Sequence, residues 1–191
     1  MKISKKISLL LIVVLLITAT IGFTASAANE KEINNIKDVL IKSVTIADKA
    51  YIDFNNENKK GSLKENKSKI ISSHSENVSN VFSEKISSDM KKKWIDDTIE
   101  QVADGPDCIE AGVSNITMNE ISIKGETATV TAIITKYLID RVQIDGKQCL
   151  DKMEGNVIVA ATLAKENNKW KITEFNAQPD MDSTNHTLTI E

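Results

Sequence analysis

The sequence contains little of what most catalytic sites are built from. Its 191 residues include two histidines, two cysteines, two prolines and seven glycines, and aromatic residues make up 4% of the chain. Nucleophilic hydrolases need a nucleophile beside a base, and phosphate-binding loops need closely spaced glycines. Neither a Gly-x-Ser-x-Gly motif nor a glycine-rich loop occurs. We therefore predict no catalytic residues and no bound cofactor, and we favour a protein that is not an enzyme.

Positive charge is scarce as well, and Arg141 is the only arginine. The formal net charge is −3, from 24 basic and 27 acidic residues. Lys2, Lys5 and Lys6 precede every acidic residue, so the chain beyond them has 21 basic and 27 acidic residues and a net charge of −6. Nucleic acid requires a basic footprint, and bidentate clamps on phosphate favour arginine. This balance excludes nucleic acid as a partner.

The N-terminal segment has the features of a secretory signal. The early lysines are followed by an apolar run over residues 7–23 and then by Ala25-Ser26-Ala27, a small-x-small cleavage pattern. We predict a signal peptide over residues 1–28 and a secreted or extracellular-surface location. An uncleaved membrane anchor is the alternative, because the run is at the short end of the ~17–25 residues that span a bilayer. A mature N terminus at Ala28 or Asn29 would show cleavage.

Cys108 and Cys149 are the only cysteines. An exported chain meets an oxidising environment, so we predict a disulfide between them. Two free thiols are the alternative. No histidine or further cysteine stands at ligand spacing beside them, so we predict no metal site.

The mature chain begins with helical periodicity. Apolar residues recur at three and four positions over 30–55, which predicts a long amphipathic helix. The polar stretch NNENKKGS, residues 55–62, predicts a loop. Thinner apolar stripes predict further helices over 67–86 and 88–102, and ADGPD, residues 103–107, ends the last of them.

The rest of the chain alternates with period two, as antiparallel strands do. In TATVTAIITKYL, residues 127–138, alanine, valine and isoleucine occupy one face and threonine the other. The residues before this strand change phase, which predicts a β-bulge near Asn119-Glu120. Gly125 supplies the positive φ of the hairpin turn. Further strands are predicted at NVIVAATLA, residues 156–164, and at KWKITEF, residues 169–175.

In the last of these strands, Trp170 and Ile172 share a phase, and Lys169 and Lys171 take the other. We therefore predict that Trp170 faces the core. AQPD, residues 177–180, ends the strand, and residues 179–191 are interpreted as a polar tail. The domain organisation is then a signal peptide, one α+β domain over residues 29–178, and the tail.

Helices followed by long, bent antiparallel strands resemble one family. The long first helix, the hairpin ISIKGETATVTAIITKYL and the closing strand NKWKITEF look like the cone-shaped domains related to nuclear transport factor 2, also called cystatin-like or SnoaL-like. The resemblance implies N-terminal helices packed on a curved antiparallel sheet of about four strands. It also implies that two copies can form a homodimer through their sheets, which the threonine-rich face would permit. The asparagine-, lysine- and isoleucine-rich composition resembles that of a Gram-positive bacterium.

Isolated residues of the right chemical type are present, although none forms a motif. His74 lies in a helical stripe and is interpreted as a partly buried helix residue, and His186 as a solvated tail residue. Some members of the resembled family isomerise or cyclise small ketones with a carboxylate base and a tyrosine or acid. Residues of those types here are Tyr51, Asp53, Tyr137, Asp140 and Glu154. Two further patterns, Asp96-Asp97 with Glu100 and the run MKKKW, residues 90–94, are interpreted as solvated helix faces.

Three functions remain open. The first is a non-enzymatic secreted or cell-surface domain that binds a protein partner or small ligand through the open end of the cone or the outer sheet face. The second is a SnoaL-like isomerase or cyclase, which requires a pocket that holds a carboxylate with a raised pKa. The third is a membrane-anchored component of a cell-envelope assembly, and the membrane is a partner only if the leader is uncleaved.

Overall fold

The fold is described here from a computed structural model, which describes residues 27–89 and 107–190. The leader up to residue 26, most of the helix predicted over 88–102, and the stop signal at 103–106 lie outside the described residues. The chain divides into two compact units, Met1–Glu32 and Ile33–Glu191. The second unit contains the sheet and almost all described residues.

Two helices form the N-terminal part of the described chain, α1 at Ala27–Lys59 and α2 at Leu63–Val81. The loop predicted at residues 55–62 is mostly helix, and only the short turn around Gly61, with φ of 72°, separates the helices. Asn55 does not break α1, because its side chain is buried and donates to Asp107 Oδ1 at 3.2 Å and to the Cys108 carbonyl at 3.4 Å. An asparagine that bonds a neighbouring strand no longer competes for its own backbone.

The turn between the helices is tied by a single carboxylate. Glu57 accepts hydrogen bonds from Lys60 Nζ at 2.8 Å, Ser62 Oγ at 2.7 Å and Asn66 Nδ2 at 2.6 Å. These bonds, that from Lys60 foremost, lower the pKa of Glu57 to about 2. The same residues that suggest a loop in the sequence therefore join two helices.

The second helix ends earlier than predicted. Phe82 leaves the helical path and forms a parallel bridge with Ile172, and the Ser83 N–H donates to the Ile172 carbonyl at 2.9 Å. Residues 84–89 are helical again. The predicted helix over 67–86 is thus wrong across residues 82–83, because Phe82 is drawn to the sheet and is fully buried there.

Four antiparallel strands follow in the order β1-β2-β3-β4. They are β1 Asp107–Lys124, β2 Thr127–Ile144, β3 Lys147–Glu166 and β4 Lys169–Ile190. Strands of 18 to 22 residues are far longer than the usual five or six. Helices followed by an antiparallel sheet confirm the predicted α+β class.

Tight turns join the strands. Gly125 has φ of 60°, as predicted. Asp145 and Gly146 have φ of 51° and 76°, and Asn167 and Asn168 have φ of 52° and 61°. Two successive residues with positive φ suit the two-residue hairpins that match strand twist. The sheet is therefore a simple meander.

Bulges bend the outer strands. The bulge predicted near Asn119-Glu120 is confirmed by a register shift between Met118 and Glu120, and β1 has two further shifts nearer its start. In β4 the register shifts opposite Thr162 and Leu163, so Phe175 can reach the core even though it is out of phase with Trp170. The Phe175 ring meets that of Phe82 edge-on, with centroids 5.5 Å apart.

The final strand is longer than predicted. Residues 179–190 are not a separate tail but continue β4, and Asn185–Ile190 pair with Glu154–Cys149. Between Asp180 and Asn185 the strand bulges over Gly155, where a Cβ would lie 3.1 Å from Thr184 Oγ1. Ser183 Oγ accepts from the Asn156 N–H at 2.8 Å and donates to the Asp180 carbonyl at 2.7 Å. The proline and polar residues thus mark a bulge and not an end.

The hydrophobic core lies between the helices and one face of the sheet. Ile36 and Leu40 of α1, Val78 of α2, and alternate residues of β2, β3 and β4 are at most 7% exposed. Trp170 is 3% exposed, which confirms that it faces the core. Along β2 the buried residues are Ala128, Val130, Ala132 and Ile134, and beyond Ile134 no residue of this strand is fully buried.

This pattern divides the helix-facing side of the sheet into two parts. We call the part around residues 128–134 of β2 and 157–163 of β3 the covered half. We call the part formed by residues 136–144 of β2, 147–155 of β3 and 185–190 of β4 the open half.

Two isoleucines on opposite sides of the sheet test which of its faces is buried in the core. Ile134 is 0% exposed and Ile158 is 52% exposed. Replacing Ile134 with alanine should lower the free energy of unfolding by about 2–5 kcal/mol, since it leaves a cavity in the core. The matched change Ile158→Ala should cost less than about 1 kcal/mol. Urea unfolding of both variants measures the difference, and equal losses would contradict the assignment of the core face.

Candidate binding face

The helix-facing side of the open half brings several chemically distinct residues together. β2 and β3 pair without a register shift from Thr127–Ala164 to Ile144–Lys147, so even residues of β2 and odd residues of β3 stay on the core side throughout. In the open half, the β4 residues that pair with odd residues of β3 lie on the same side, namely His186, Leu188 and Ile190. We call this surface the open face.

Ion pairs line the border between the open face and α1. Lys136 Nζ lies 2.7 Å from Asp48 Oδ2, and both side chains are largely buried. Asp107 accepts a hydrogen bond from Lys59 and lies 3.5 Å from Arg141 Nη1. Burial acts to raise the pKa of Asp107, but these cationic partners outweigh it and hold the pKa below its usual range. These ion pairs connect α1 to the sheet.

An unfavourable pair of carboxylates lies on the open face beyond these ion pairs. Asp140 and Asp151 are directly opposite in the β2–β3 ladder, an arrangement that is unfavourable for like charges. The pKa of Asp140 is raised by burial and by the charges of Asp151 and Asp107, which together outweigh the lowering effect of a hydrogen bond from the Cys108 thiol. Its Oδ1 is buried and has no hydrogen-bond partner among the described residues. His186 Nδ1 is 3.3 Å from both carboxylate oxygens of Asp151, so the imidazole contacts the carboxylate pair at Asp151.

Two protonated groups flank Asp140. Cys108 is 4% exposed, and burial together with the Asp140 charge raises the pKa of its thiol to about 12. Burial, Cys108 and Asp140 also raise the pKa of Tyr51 on α1. Both groups are therefore neutral near pH 7. Two neutral hydrogen-bond donors therefore lie beside Asp140.

Apolar side chains occupy the far end of the open face. Ile144 is 40% exposed, Leu188 58% and Ile190 68%. On the covered half of the same side, Ile134, Val159 and Leu163 are each 0% exposed. The open face thus combines an unburied apolar end with an under-compensated carboxylate pair, as ligand sites often do.

The outer face of the sheet is more self-contained. Tyr137 donates to Glu110 Oε1 at 2.8 Å, and Lys152 Nζ lies 5.2 Å from its ring centroid. A Cβ at Gly112 would be only 2.7 Å from the tyrosine oxygen, so the ring lies directly over this glycine. The hydrogen bond to the Glu110 carboxylate, followed by burial, raises the pKa of Tyr137. Tyr137 therefore fills the gap above a glycine, and its hydroxyl is already engaged.

The structure separates the residues that the sequence singled out. The Asp140 charge contributes to the raised pKa of Tyr51, whereas Asp53 contacts His74 through Oδ2 and Nε2 at 2.9 Å between α1 and α2. Glu154 is on the outer face, where it accepts from Ser114 Oγ at 2.5 Å. The partners missed by sequence reasoning are Asp151, Leu188 and Ile190. Asp96, Asp97, Glu100 and the run MKKKW lie outside the described residues.

His186 was interpreted as a solvated residue of a polar tail. It lies instead in β4 and contacts Asp151 on the open face, although it remains exposed. In HTLTI, residues 186–190, larger side chains alternate with threonine, as in a strand. The polar residues before this segment favoured a tail instead.

The predicted disulfide between Cys108 and Cys149 is not formed, and both are free, buried thiols. Cys108 pairs with Asp140 on β2, and Cys149 pairs with Val142 from the other side of that strand. Two strand spacings separate the cysteines by roughly 10 Å, whereas a disulfide needs Cα atoms about 4.4–6.8 Å apart. The intervening strand rules out the bond without movement of the backbone.

The described residues also bear on metal binding and on membrane insertion. In residues 27–89 and 107–190, no group of three or more histidine, cysteine, aspartate or glutamate side chains is placed to hold a metal ion. Over the same ranges, neither helix combines the length and hydropathy needed to cross a bilayer.

Comparisons with known proteins give little guidance. No family model matches the sequence, and no curated protein is significantly similar to it. Among solved structures, the chain is similar to the intermembrane-space region of the chloroplast protein ARC6, with 12% identity over 73% of this chain and 97% of that one. The TM-score is 0.37, and no conclusion is drawn from this likeness.

The state of Cys108 gives a direct test of the site. A thiol with a pKa near 12 has about a thousand times less thiolate at pH 8 than an ordinary thiol. Pulsed alkylation with iodoacetamide, read by peptide mass spectrometry, should label Cys108 at least about 100-fold more slowly in the folded protein than in urea. The intact mass should correspond to two free thiols. Equal labelling rates, or a mass lower by two hydrogens, would contradict this description.

Proposed function

We propose that the chain is a non-enzymatic, secreted or cell-surface domain that binds a partner or small ligand on its open face. The observation that carries the proposal is the exposure of Ile144, Leu188 and Ile190 on the side of the sheet whose covered half is buried in the core. Burying one such side chain contributes about 1.5–3 kcal/mol. The signal-like N terminus supports placement outside the cell.

The charges of the open face specify the chemistry of the partner. Asp140 and Asp151 lie directly opposite each other in the β2–β3 ladder, where like charges repel. Of these two carboxylates, the exposed His186 contacts that of Asp151. A lysine, arginine or amine placed over this pair relieves the repulsion, while apolar groups cover the isoleucine and leucine side chains. The partner is therefore a peptide segment or small molecule with both cationic and apolar groups.

We further propose that the architecture is the cone-shaped fold of the nuclear transport factor 2-like family. The support is the helical hairpin on one sheet face, the four long antiparallel strands and the bulges that bend β1 and β4. In this arrangement the open face corresponds to the open end of the cone.

Binding is tested with two synthetic peptides of equal length, one alternating leucine and lysine and the other leucine and glutamate. Isothermal titration of residues 29–191 should detect the lysine peptide only, because the glutamate peptide adds charge of the wrong sign. Leu188→Ser should weaken the binding by about 10-fold or more, in line with the loss of apolar burial. Met181→Ser is the matched control, since Met181 is 75% exposed in the same strand but lies in its bulge.

A second variant separates binding from folding. Asp140→Asn removes a carboxylate with a raised pKa, so the variant should be more stable than the parent at pH 7 and should lose this advantage at acidic pH, where Asp140 is protonated in both states. The same variant should bind the lysine peptide less tightly. Failure of both peptides, of cell-wall fractions and of a broad small-molecule thermal-shift screen to bind would refute the proposal.

A SnoaL-like isomerase or cyclase is the second candidate, and one observation favours it. Asp140 has the raised pKa expected of a general base, and burial together with the charges of Cys108 and Asp140 raises the pKa of Tyr51, which keeps its hydroxyl protonated. Proton exchange at the α-carbon of small cyclic ketones, followed by NMR in D₂O, would support this function if Asp140→Asn abolished it. The third hypothesis, a membrane-anchored envelope component, is distinguished by the N-terminal residue of the protein recovered from culture.

A further inference from the structure

Two carboxyl groups lie side by side on the open face. Asp140 of β2 is directly opposite Asp151 of β3, and both side chains are on the helix-facing side of the ladder. The Cβ atoms of directly opposed residues are about 4.5–5.5 Å apart, so the two carboxyl groups are within reach of one hydrogen bond. Two carboxylates only accept hydrogen bonds, whereas a protonated carboxyl has an O–H that donates to a carboxylate. The arrangement therefore favours a single proton on the pair.

The burial of one oxygen gives a second reason for a proton at this position. Asp140 Oδ1 is buried and has no hydrogen-bond partner among the described residues, a costly state for a polar atom. An O–H on Asp140 that donates to Asp151 gives this oxygen a partner. Asp151 suits the charged role, because its side chain is 25% exposed and His186 Nδ1 lies 3.3 Å from both of its oxygens.

Neutral and acidic groups of α1 and β1 surround Asp140. Burial, followed by the charges of Cys108 and Asp140, raises the pKa of Tyr51 on α1. On β1, burial foremost raises the pKa of Cys108 to about 12, and its thiol donates to Asp140. The charge of Asp107, also on β1, acts with burial and with Asp151 to raise the pKa of Asp140. These effects outweigh the thiol, so the protonated form of Asp140 is favoured.

The cations at the border of the open face contact other carboxylates. Lys59 of α1 and Arg141 of β2 contact Asp107. Lys136 of β2 contacts Asp48 of α1. An external cation placed over the Asp140–Asp151 pair therefore displaces a proton and leaves these ion pairs intact.

We propose that Asp140 and Asp151 share one proton in the free protein, and that a cationic group bound on the open face displaces this proton into solvent. The proton leaves the Asp140 O–H, and the charge of the ligand then faces two carboxylates. Because binding and deprotonation are linked, affinity rises with pH up to the titration step of the pair and is level above it. The displacement rests on the proposed ligand-binding function, whereas the sharing of the proton does not.

Carboxyl carbon NMR of residues 29–191 tests the shared proton without any ligand. The Asp140 resonance should titrate above the ordinary aspartate pKa of about 3.9, and the Asp151 resonance should shift in the same step, because interacting groups titrate as a pair. In Asp151→Asn the Asp140 step should move to lower pH, since the opposing charge is removed. Asp182→Asn is the matched control, because Asp182 is exposed in the β4 bulge, and it should leave the step unchanged.

Calorimetry with the leucine–lysine peptide tests the displacement. Titrations in two buffers of different ionisation enthalpy should show about one proton released per peptide below the step and none above it. Below the step the affinity should rise about tenfold per pH unit. Asp140→Asn should abolish the release. His186→Asn should retain it, which separates the carboxyl pair from the imidazole as the source of the proton.

The two halves of the proposal can fail separately. An Asp140 resonance that titrates at the ordinary aspartate value, or a step that stays unchanged in Asp151→Asn, would overturn the shared proton. Peptide binding without proton release, or release that disappears in His186→Asn, would overturn the displacement while the proposed function stands. If the peptide binds at no pH, the displacement fails together with that function, and the NMR titration decides on the shared proton.

Discussion

Every residue of β2 from Thr127 to Ile144 has a partner on β3, and the register does not shift along this whole length. Because side chains alternate strictly, one face of this ladder stays continuous from the buried Ala128 to the exposed Ile144. Bulges that turn side chains to the other face occur only in the outer strands among the residues described. The helices therefore bury one half of this face, and the other half of the same face is open to solvent.

The energetic consequences differ between the two halves. In the covered half, fully buried isoleucine, leucine and valine side chains from α1, β2, β3 and β4 supply the apolar burial that holds the domain together. In the open half, Asp140 faces Asp151 across the ladder, and apolar side chains remain in water. Neither feature stabilises the isolated chain, and unfavourable arrangements of this kind concentrate at functional sites.

Local patterns in the sequence were sufficient for much of the fold. The α+β class, the bulge after Met118, the turn at Gly125 and the burial of Trp170 all followed from periodicity and turn chemistry. The failures involve contacts between residues far apart in sequence. Asn55 remains helical because it bonds β1, and Phe82 leaves its helix because it bridges β4. Residues 185–190 form a strand because β3 extends beside them.

The candidate site was harder to predict from the sequence, because it too depends on contacts between residues far apart in the chain. Tyr51 and Asp140 were recognised by type, but the effect of the Asp140 charge on the pKa of Tyr51 depends on where α1 lies along the sheet. Asp151 becomes important only through its cross-strand position opposite Asp140. The disulfide was predicted from the expected oxidising compartment. It does not form because β2 lies between Cys108 and Cys149. Exposure of Leu188 and Ile190 depends on where the helices end, which no local pattern specifies.

Hydroxyl-radical footprinting read by mass spectrometry tests the half-covered sheet most directly, because it reports the solvent exposure of individual side chains. The measurement is best made at submicromolar protein concentration, where association between copies is minimal. The account predicts rapid oxidation of Leu188, Ile190 and Ile144, and strong protection of Leu163, Ile134 and Ile172. Equal protection of the two groups would show that the open face is covered and would contradict the account.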